Sequence, residues 1–435
     1  MARTSKQRRL MGPWSMQALI PLAAGVALAL ALGMAVLAVR GDVVARVDIP
    51  GFGLGGTVGF GIDPAGAALL ASLLLAAAAT ILTSSAHRAA LFSLIVATVL
   101  AVLAREGFTA GFWALAALLI AVRGHTEAFA LAALPMVAIV LARTQAPAVL
   151  DPAFAVGGGM AMLAAGVWAA RTLKLGQLAR AVALGFAGLG LLAAGMGAVS
   201  AALLAVMANA TIAPLLGIAA TTLDEATGTT SLDWLGGLAR GMPRFALLTL
   251  AGLAFAAILP PGPGFAAFSA VWQAAIAARS GAVIGVLALW FGLMGFAGLR
   301  GFGLACLGRP RSLRAAAAED AARPVLIALA LLAAGGAVLG LADPAMLALA
   351  AVLAMLAAGL RWLLTRTGPL DVAGFEGGFA RPPAWLPFGD PATQITATGF
   401  AAPLRPPSRL VAALTGLRCA VRWLASAFRP PTCRP

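Results

Sequence analysis

MQALIPLAAGVALALALGMAVLAV, from Met16 to Val39, decides the fold, because it holds no charged side chain over its whole length. A helix needs ~20 apolar residues to cross ~30 Å of hydrocarbon, and this run supplies them. A basic tail, residues 1–15 with Arg3, Lys6, Arg8 and Arg9, precedes it. A cleaved signal peptide would carry a shorter apolar region and would not introduce a series of further spans, so Met16–Val39 is expected to stay in the membrane.

Apolar runs of the same kind recur near 64–84, 89–104, 107–122, 127–142, 153–170, 181–198, 199–222, 245–261, 281–307, 324–342 and 344–362. With the first run they predict an all-α, polytopic transmembrane helix bundle of about 12 spans over residues 16–362. The stretch Gly264–Ala278 follows the double proline Pro260–Pro261 and reads as a further, broken span. Proline at membrane depth, here Pro214 as well as Pro260 and Pro261, is tolerated where protein or water re-satisfies the freed backbone groups.

Composition agrees. The 435 residues are 62% hydrophobic and 10% charged, with mean hydropathy +0.98. A soluble domain is about a quarter charged, so this chain could not cover its surface in water. Net charge is +15. Its basic residues lie in tails and loops and Tyr is absent, so the charge reads as positive-inside topology beside anionic lipid, with no nucleic-acid groove. Arg171, Lys174 and Arg180 follow the sixth run, and Arg309, Arg311 and Arg314 follow the tenth. If every run crosses once, both clusters share the side of the N-terminal tail, which the rule places in the cytoplasm.

Beyond residue 362 the composition turns Pro-, Gly- and Arg-rich. Within this tail (363–435), Leu410, Leu414, Leu417, Val421 and Leu424 recur on one helical face beside Arg418 and Arg422. That spacing predicts an interfacial amphipathic helix over 408–428, lying on the membrane or on a partner subunit.

Several classes of chemistry are not encoded. Cys306, Cys419 and Cys433 form no CxxC pair, and His87 and His125 stand singly at span edges, so no metal or iron–sulfur site is expected. GFGLGG (51–56) and the glycines 157–159 read as packing positions, since no strand is expected before them and no lysine follows. No Ser–His–Asp set or dinucleotide fingerprint appears, so neither a catalytic site nor a cofactor site is expected. Moving protons needs ionisable groups at membrane depth, which cost roughly 2.5–3.5 kcal/mol each and so mark a pathway. The two lysines, Lys6 and Lys174, and all fifteen acidic residues lie outside the runs or at their ends, with Glu106, Glu127, Asp151 and Asp343 at run starts. Arg300 is the exception, deep in 281–307. Two readings stand: a buried cation facing an interior cavity, or an arginine snorkelling at the end of a span that finishes near 300, with GFGLACLG as a loop.

The segment SLDWLGGLARGMPRFALLTLAGLAFAAILPPGPGF, Ser231 to Phe265, resembles the antiporter-like membrane subunits of respiratory complex I and of formate hydrogenlyase-type hydrogenases. In those subunits a leucine–glycine–glycine, an arginine and Met-Pro lead into an apolar helix ending Leu-Pro-Pro, then Gly-Phe. RGFGLACLGRPRS (300–312) and WLPFGDPATQITATGFAAPLR (385–405) agree best with hydrogenase-4 component B. With the match around Asn209, these motifs cover roughly residues 200–405 in the family's order.

The resemblance implies a bacterial-type inner (plasma) membrane, other membrane subunits as partners, and proton carriage along interior glutamate, lysine and histidine. Few of those positions carry over. The family's Trp-Glu-Leu-Met segment corresponds to Trp113-Ala114-Leu115-Ala116, and its His-Ala-Leu-Phe-Lys segment to Asn209-Ala210-Thr211-Ile212-Ala213. The lysine before its Ala-Phe-Gly becomes Arg300, and its lysine-bearing broken helix finds no match. Arginine stays charged at physiological pH, so it anchors charge better than it passes protons. Arg300 and Asn209 are thus the candidate coupling residues. The expectation is a non-catalytic membrane-arm subunit of a hydrogenase- or NADH:quinone oxidoreductase-like complex. Two alternatives stay open: a subunit that still translocates protons or cations, and a membrane partner of an inorganic-carbon uptake system.

Overall fold

The computed structural model describes residues 16–40, 45–50, 57–83, 88–103, 151–342 and 344–366. The runs at 107–122 and 127–142, both tails and the expected helix 408–428 lie outside the described residues. In chain order the helices are α1 (Met16–Arg40), α2 (Pro64–Thr83), α3 (Arg88–Leu103), α4 (Asp151–Arg171), α5 (Leu175–Gly195), α6 (Val199–Thr227), α7 (Leu238–Gly241), α8 (Pro243–Ala256), α9 (Pro263–Ala277), α10 (Gly281–Cys306), α11 (Leu313–Ala316), α12 (Arg323–Gly340) and α13 (Pro344–Arg366). Seven of the described helices, α1, α2, α4, α5, α6, α10 and α12, are long and apolar enough to cross a membrane. The last helix runs past the expected bundle boundary at 362 to Arg366.

One element was not expected. Strands β1 (Ala45–Pro50) and β2 (Thr57–Ile62) pair antiparallel, from Ala45 opposite Ile62 to Pro50 opposite Thr57. A strand therefore does precede GFGLGG at 51–56, against the sequence reading. It is followed by a second strand, not by a helix and a lysine, which is not the order of a phosphate loop.

Prolines and glycines set the helix limits. Pro243, Pro263 and Pro324 sit in the first turns of α8, α9 and α12, where the missing N–H costs no intrahelical bond. Gly228 closes α6 at φ 70°, and its N–H donates to the Asp224 carbonyl at 2.8 Å. Pro214 does not break its helix: α6 is continuous from Val199 to Thr227 and is buried on both sides of the proline. Neighbouring helices hold its shape against the single lost bond.

The core forms where small residues let backbones meet. A Cβ at Gly188 in α5 would lie 2.7 Å from the Met162 nitrogen and 2.8 Å from the Gly158 carbonyl oxygen of α4. Such contact is what holds apolar helices together in lipid, where hydrophobicity cannot distinguish protein from solvent.

α4 and α10 run in the same direction: Val286 packs at Gly159, Trp290 at Gly166, and Arg300 reaches Thr172. α8 starts at the end of the bundle that holds 172–174 and 307–322, where Asp320 binds its first amides. α10 starts at the opposite end, so α8 and α9 together make one crossing, interrupted at 257–262. The expected span 245–261 is thus half of a crossing, and Gly264–Ala278 is the other half. The cause is local: Ile258 takes φ 60°, outside the helical region, and Pro260 and Pro261 have no N–H to donate, so no regular helix passes through.

Candidate functional site

Two features occupy the interior: the break at 257–262 and the surroundings of Arg300. At the break the chain closes its own hydrogen bonds. Ala257 N donates to Leu253 O (2.8 Å), Leu259 N to Ala254 O (3.0 Å) and Gly262 N to Leu259 O (2.9 Å). Residues 256–258 and 262–264 are buried, so the α8 C-terminus and the α9 N-terminus both end inside the protein. α12 clasps this point: Gly336 meets Phe255 and Pro263, and Gly340 meets the Pro261 carbonyl. Pro260 and Pro261 thus lie at a true interruption, and Pro214 does not.

Arg300 is 7% exposed on α10. Its Nη2 donates to the carbonyl oxygens of Thr172 and of Ala169, the latter at 3.5 Å, and its guanidinium carbon stands 5.8 Å from the Phe296 ring centroid. These carbonyls close α4, so the cation sits on the negative end of a helix dipole. The helix continues through Gly301–Cys306, so GFGLAC is not a loop and Arg300 does not snorkel to water. Its Nη2 is turned to the end of α4. Nε and Nη1 have no hydrogen-bond partner among the described residues.

Sequence reasoning missed an acid at this end of the bundle. Asp233 lies in segment 228–237, which packs on Arg311, the second buried arginine, at Gly236. Burial pushes the Arg311 guanidinium below its ordinary value, and the Asp233 carboxylate works against that shift. The fold brings Asp233 there through backbone bonds. Leu232 N donates to Leu173 O (2.9 Å), Leu175 N to Thr230 O (3.1 Å) and Gly237 N to Leu307 O (2.9 Å). The basic segment expected as a loop over 171–180 is only 172–174, since α5 begins at Leu175 and carries Arg180 on its exposed face. Arg171, Lys174, Arg309, Arg311 and Arg314 do gather at one end of the bundle.

Asn209 is fully buried on α6. The buried Thr249 hydroxyl of α8 and the Trp290 indole nitrogen of α10 have no hydrogen-bond partner among the described residues. Among the described residues Arg300 is the one buried charged side chain within a helix long enough to span, and no group of three metal-ligating side chains is present.

No protein family model matches the chain, and no curated protein matches it by sequence. Solved structures do. A chain of the membrane-bound sulfane sulfur reductase, an archaeal respiratory membrane complex, superposes with TM-score 0.65 at 14% identity, covering 97% of each chain. A chain of the Mrp complex from Dietzia sp. DQ12-45-1b gives 0.62 at 14% identity over 75% of this chain and 89% of that one. A chain of respiratory complex I from Thermus thermophilus gives 0.58 at 19% identity over 74% and 91%. At such identities the likeness is one of fold, and the chain carries the fold of antiporter-like membrane subunits.

Proposed function

We propose that the protein is a membrane-arm subunit of a multi-subunit respiratory or antiporter-type complex, and that it packs neighbouring subunits without completing a proton path. The supporting observation is Arg300. The cation deepest in the described bundle is fixed on the α4 carbonyls, and no buried carboxylate, lysine or histidine stands within the described spans to pass a proton to it. Its partners are other membrane subunits and lipid, the chain binds no cofactor, and its basic end faces the cytoplasm of a bacterial-type cell.

A second reading, proton or cation translocation, draws on the break at 257–262. Two helix ends meeting inside a bundle can face an ion in transporters.

The experiment is proton pumping in vesicles, normalised to assembled complex, for wild type and Arg300→Ala. The structural reading expects lower complex yield with normalised flux nearly unchanged. A large fall in normalised flux with assembly intact gives the conducting reading. Identifying the co-purifying subunits then separates hydrogenase-like, quinone-oxidoreductase-like and carbon-uptake assemblies.

A further inference from the structure

The interrupted crossing is gripped at two separate points by one stretch of chain. At the basic end α8 begins without a cap of its own, since Met242 offers no side-chain acceptor. The first amides of a helix have no intrahelical partner. Asp320 provides one from elsewhere in the sequence: its Oδ2 accepts from Arg244 N at 3.2 Å and its Oδ1 from Phe245 N at 3.1 Å. A carboxylate there also meets the positive end of the helix dipole. The backbone just before it is as close, because a Cβ at Gly241 would lie 2.5 Å from the Ala318 carbonyl oxygen.

Three residues after Asp320, α12 begins at Arg323, and farther along it Gly336 and Gly340 take the break. A Cβ at Gly336 would lie 2.9 Å from the Phe255 ring and 3.3 Å from Pro263 Cγ. One at Gly340 would fall against the Pro261 carbonyl and 2.8 Å from the Gly262 carbonyl carbon. α12 therefore runs beside α8 in the same direction. Thirteen positions separate Arg323 from Gly336 (336 − 323), about 20 Å of helix, and the 14 residues of α8 rise about 21 Å.

We infer that α12 and the segment Ala318–Asp320 before it form a splint for the interrupted crossing: Asp320 fixes the start of α8, Gly336 and Gly340 fix the break, and the two points move together. α8 is too short for its own apolar length to set its depth in the membrane. α6 and α10 touch its sides, at Gly252 and at Leu253–Ala257, while α12 with its leading segment engages both of its ends. A rigid helix attached at two points carries a displacement from one to the other. The splint thus links the connector 307–322 at the basic end to the buried break, and it holds whether or not the subunit conducts.

Hydrogen–deuterium exchange of the full chain in nanodiscs, read by mass spectrometry over 243–247 and 257–262, follows both points at once. Asp320→Ala is expected to speed exchange at 244–245 about fivefold, the effect of a lost cap. Asp320→Asn, which keeps one acceptor oxygen, should do so less. The splint further expects Asp320→Ala to speed exchange at 257–262 by about twofold or more, where the amides of Ala257, Leu259 and Gly262 are bonded. Coupling is reciprocal, so Gly340→Ala, which adds a carbon at the break, should speed exchange at 244–245 by a similar factor. Combined with Asp320→Ala it should add little there, since coupled changes are not additive. If Gly340→Ala fails to accumulate, Asp320→Ala read at 257–262 still decides. Exchange in Asp320→Ala that rises at 244–245 alone would overturn the splint and leave Asp320 a local cap. Full additivity of the two changes would do the same. Exchange is read without any flux, so the pumping experiment can fail without touching this result, and the reverse.

Discussion

α6 and α13 are both apolar helices of more than twenty residues, yet one is buried almost along its whole length and the other is exposed from 351 to 363. α6 carries Asn209, Thr211, Pro214, Gly217 and Thr222 at its centre, with Thr211 donating to the Ala208 carbonyl at 2.9 Å and Thr222 to that of Ile218 at 2.8 Å. The centre of α13 carries Leu353, Met355, Leu356 and Leu360, all exposed. Apolarity puts a helix into the bilayer but does not choose its neighbours. Small residues, and hydroxyls bonded within their own helix, do, because they let backbones approach.

That contrast can be broken most severely at a close approach. Gly188→Leu would drive a side chain into the Met162 backbone, and the chain is expected not to accumulate in membranes, as immunoblotting of membrane fractions would show. Normal accumulation would mean that α4 and α5 are not held by backbone contact. Asn209→Leu on α6 puts a larger side chain at a fully buried position and should cost about 1–3 kcal/mol by overpacking. Thermal unfolding of the purified protein in nanodiscs measures it, and an unchanged midpoint would remove Asn209 from the packing account.

Thr249→Val tests the same idea in the opposite direction. Its hydroxyl is buried with no partner among the described residues, so removing it should be neutral or stabilising by up to ~1 kcal/mol in the same assay. A loss of stability would reveal a polar partner for the hydroxyl. Leu356→Ala on α13 should shift the isolated subunit by less than ~0.5 kcal/mol, as surface substitutions do. A larger loss that appears only in the assembled complex would identify α13 as a face covered by a neighbouring subunit.

The sequence made the apolar runs legible because a span is a local property of some twenty residues. Ten of the expected runs overlap described helices, seven of which are long and apolar enough to cross a membrane, and the motif Ser231–Phe265 pointed to the fold that the solved structures share. It also flagged Pro260 and Pro261, but not that residues 243–277 form one crossing, since direction through a membrane is set by which ends meet in space. Arg300 stood out because a charge inside an apolar run is visible in one dimension. Asp233 did not, because it lies far from the α4–α5 turn along the chain and comes to that end of the bundle only through the backbone bonds of segment 228–237. The hairpin β1–β2 was hidden by its glycines, which read equally well as helix-packing positions.

The interrupted crossing has a consequence for biosynthesis. α8 and α9 have 14 and 15 residues, about 21–23 Å each at 1.5 Å per residue, so neither reaches across ~30 Å of hydrocarbon by itself. A ribosome-bound chain that has emerged only as far as Gly262 therefore presents α8 to the insertion machinery as an incomplete stop. The two halves must be accepted together, with α6 already in place beside them and Asp320 still to be synthesised. Membrane integration of residues 243–277 is thus a late, cooperative event, and its order of assembly follows from the position of the break.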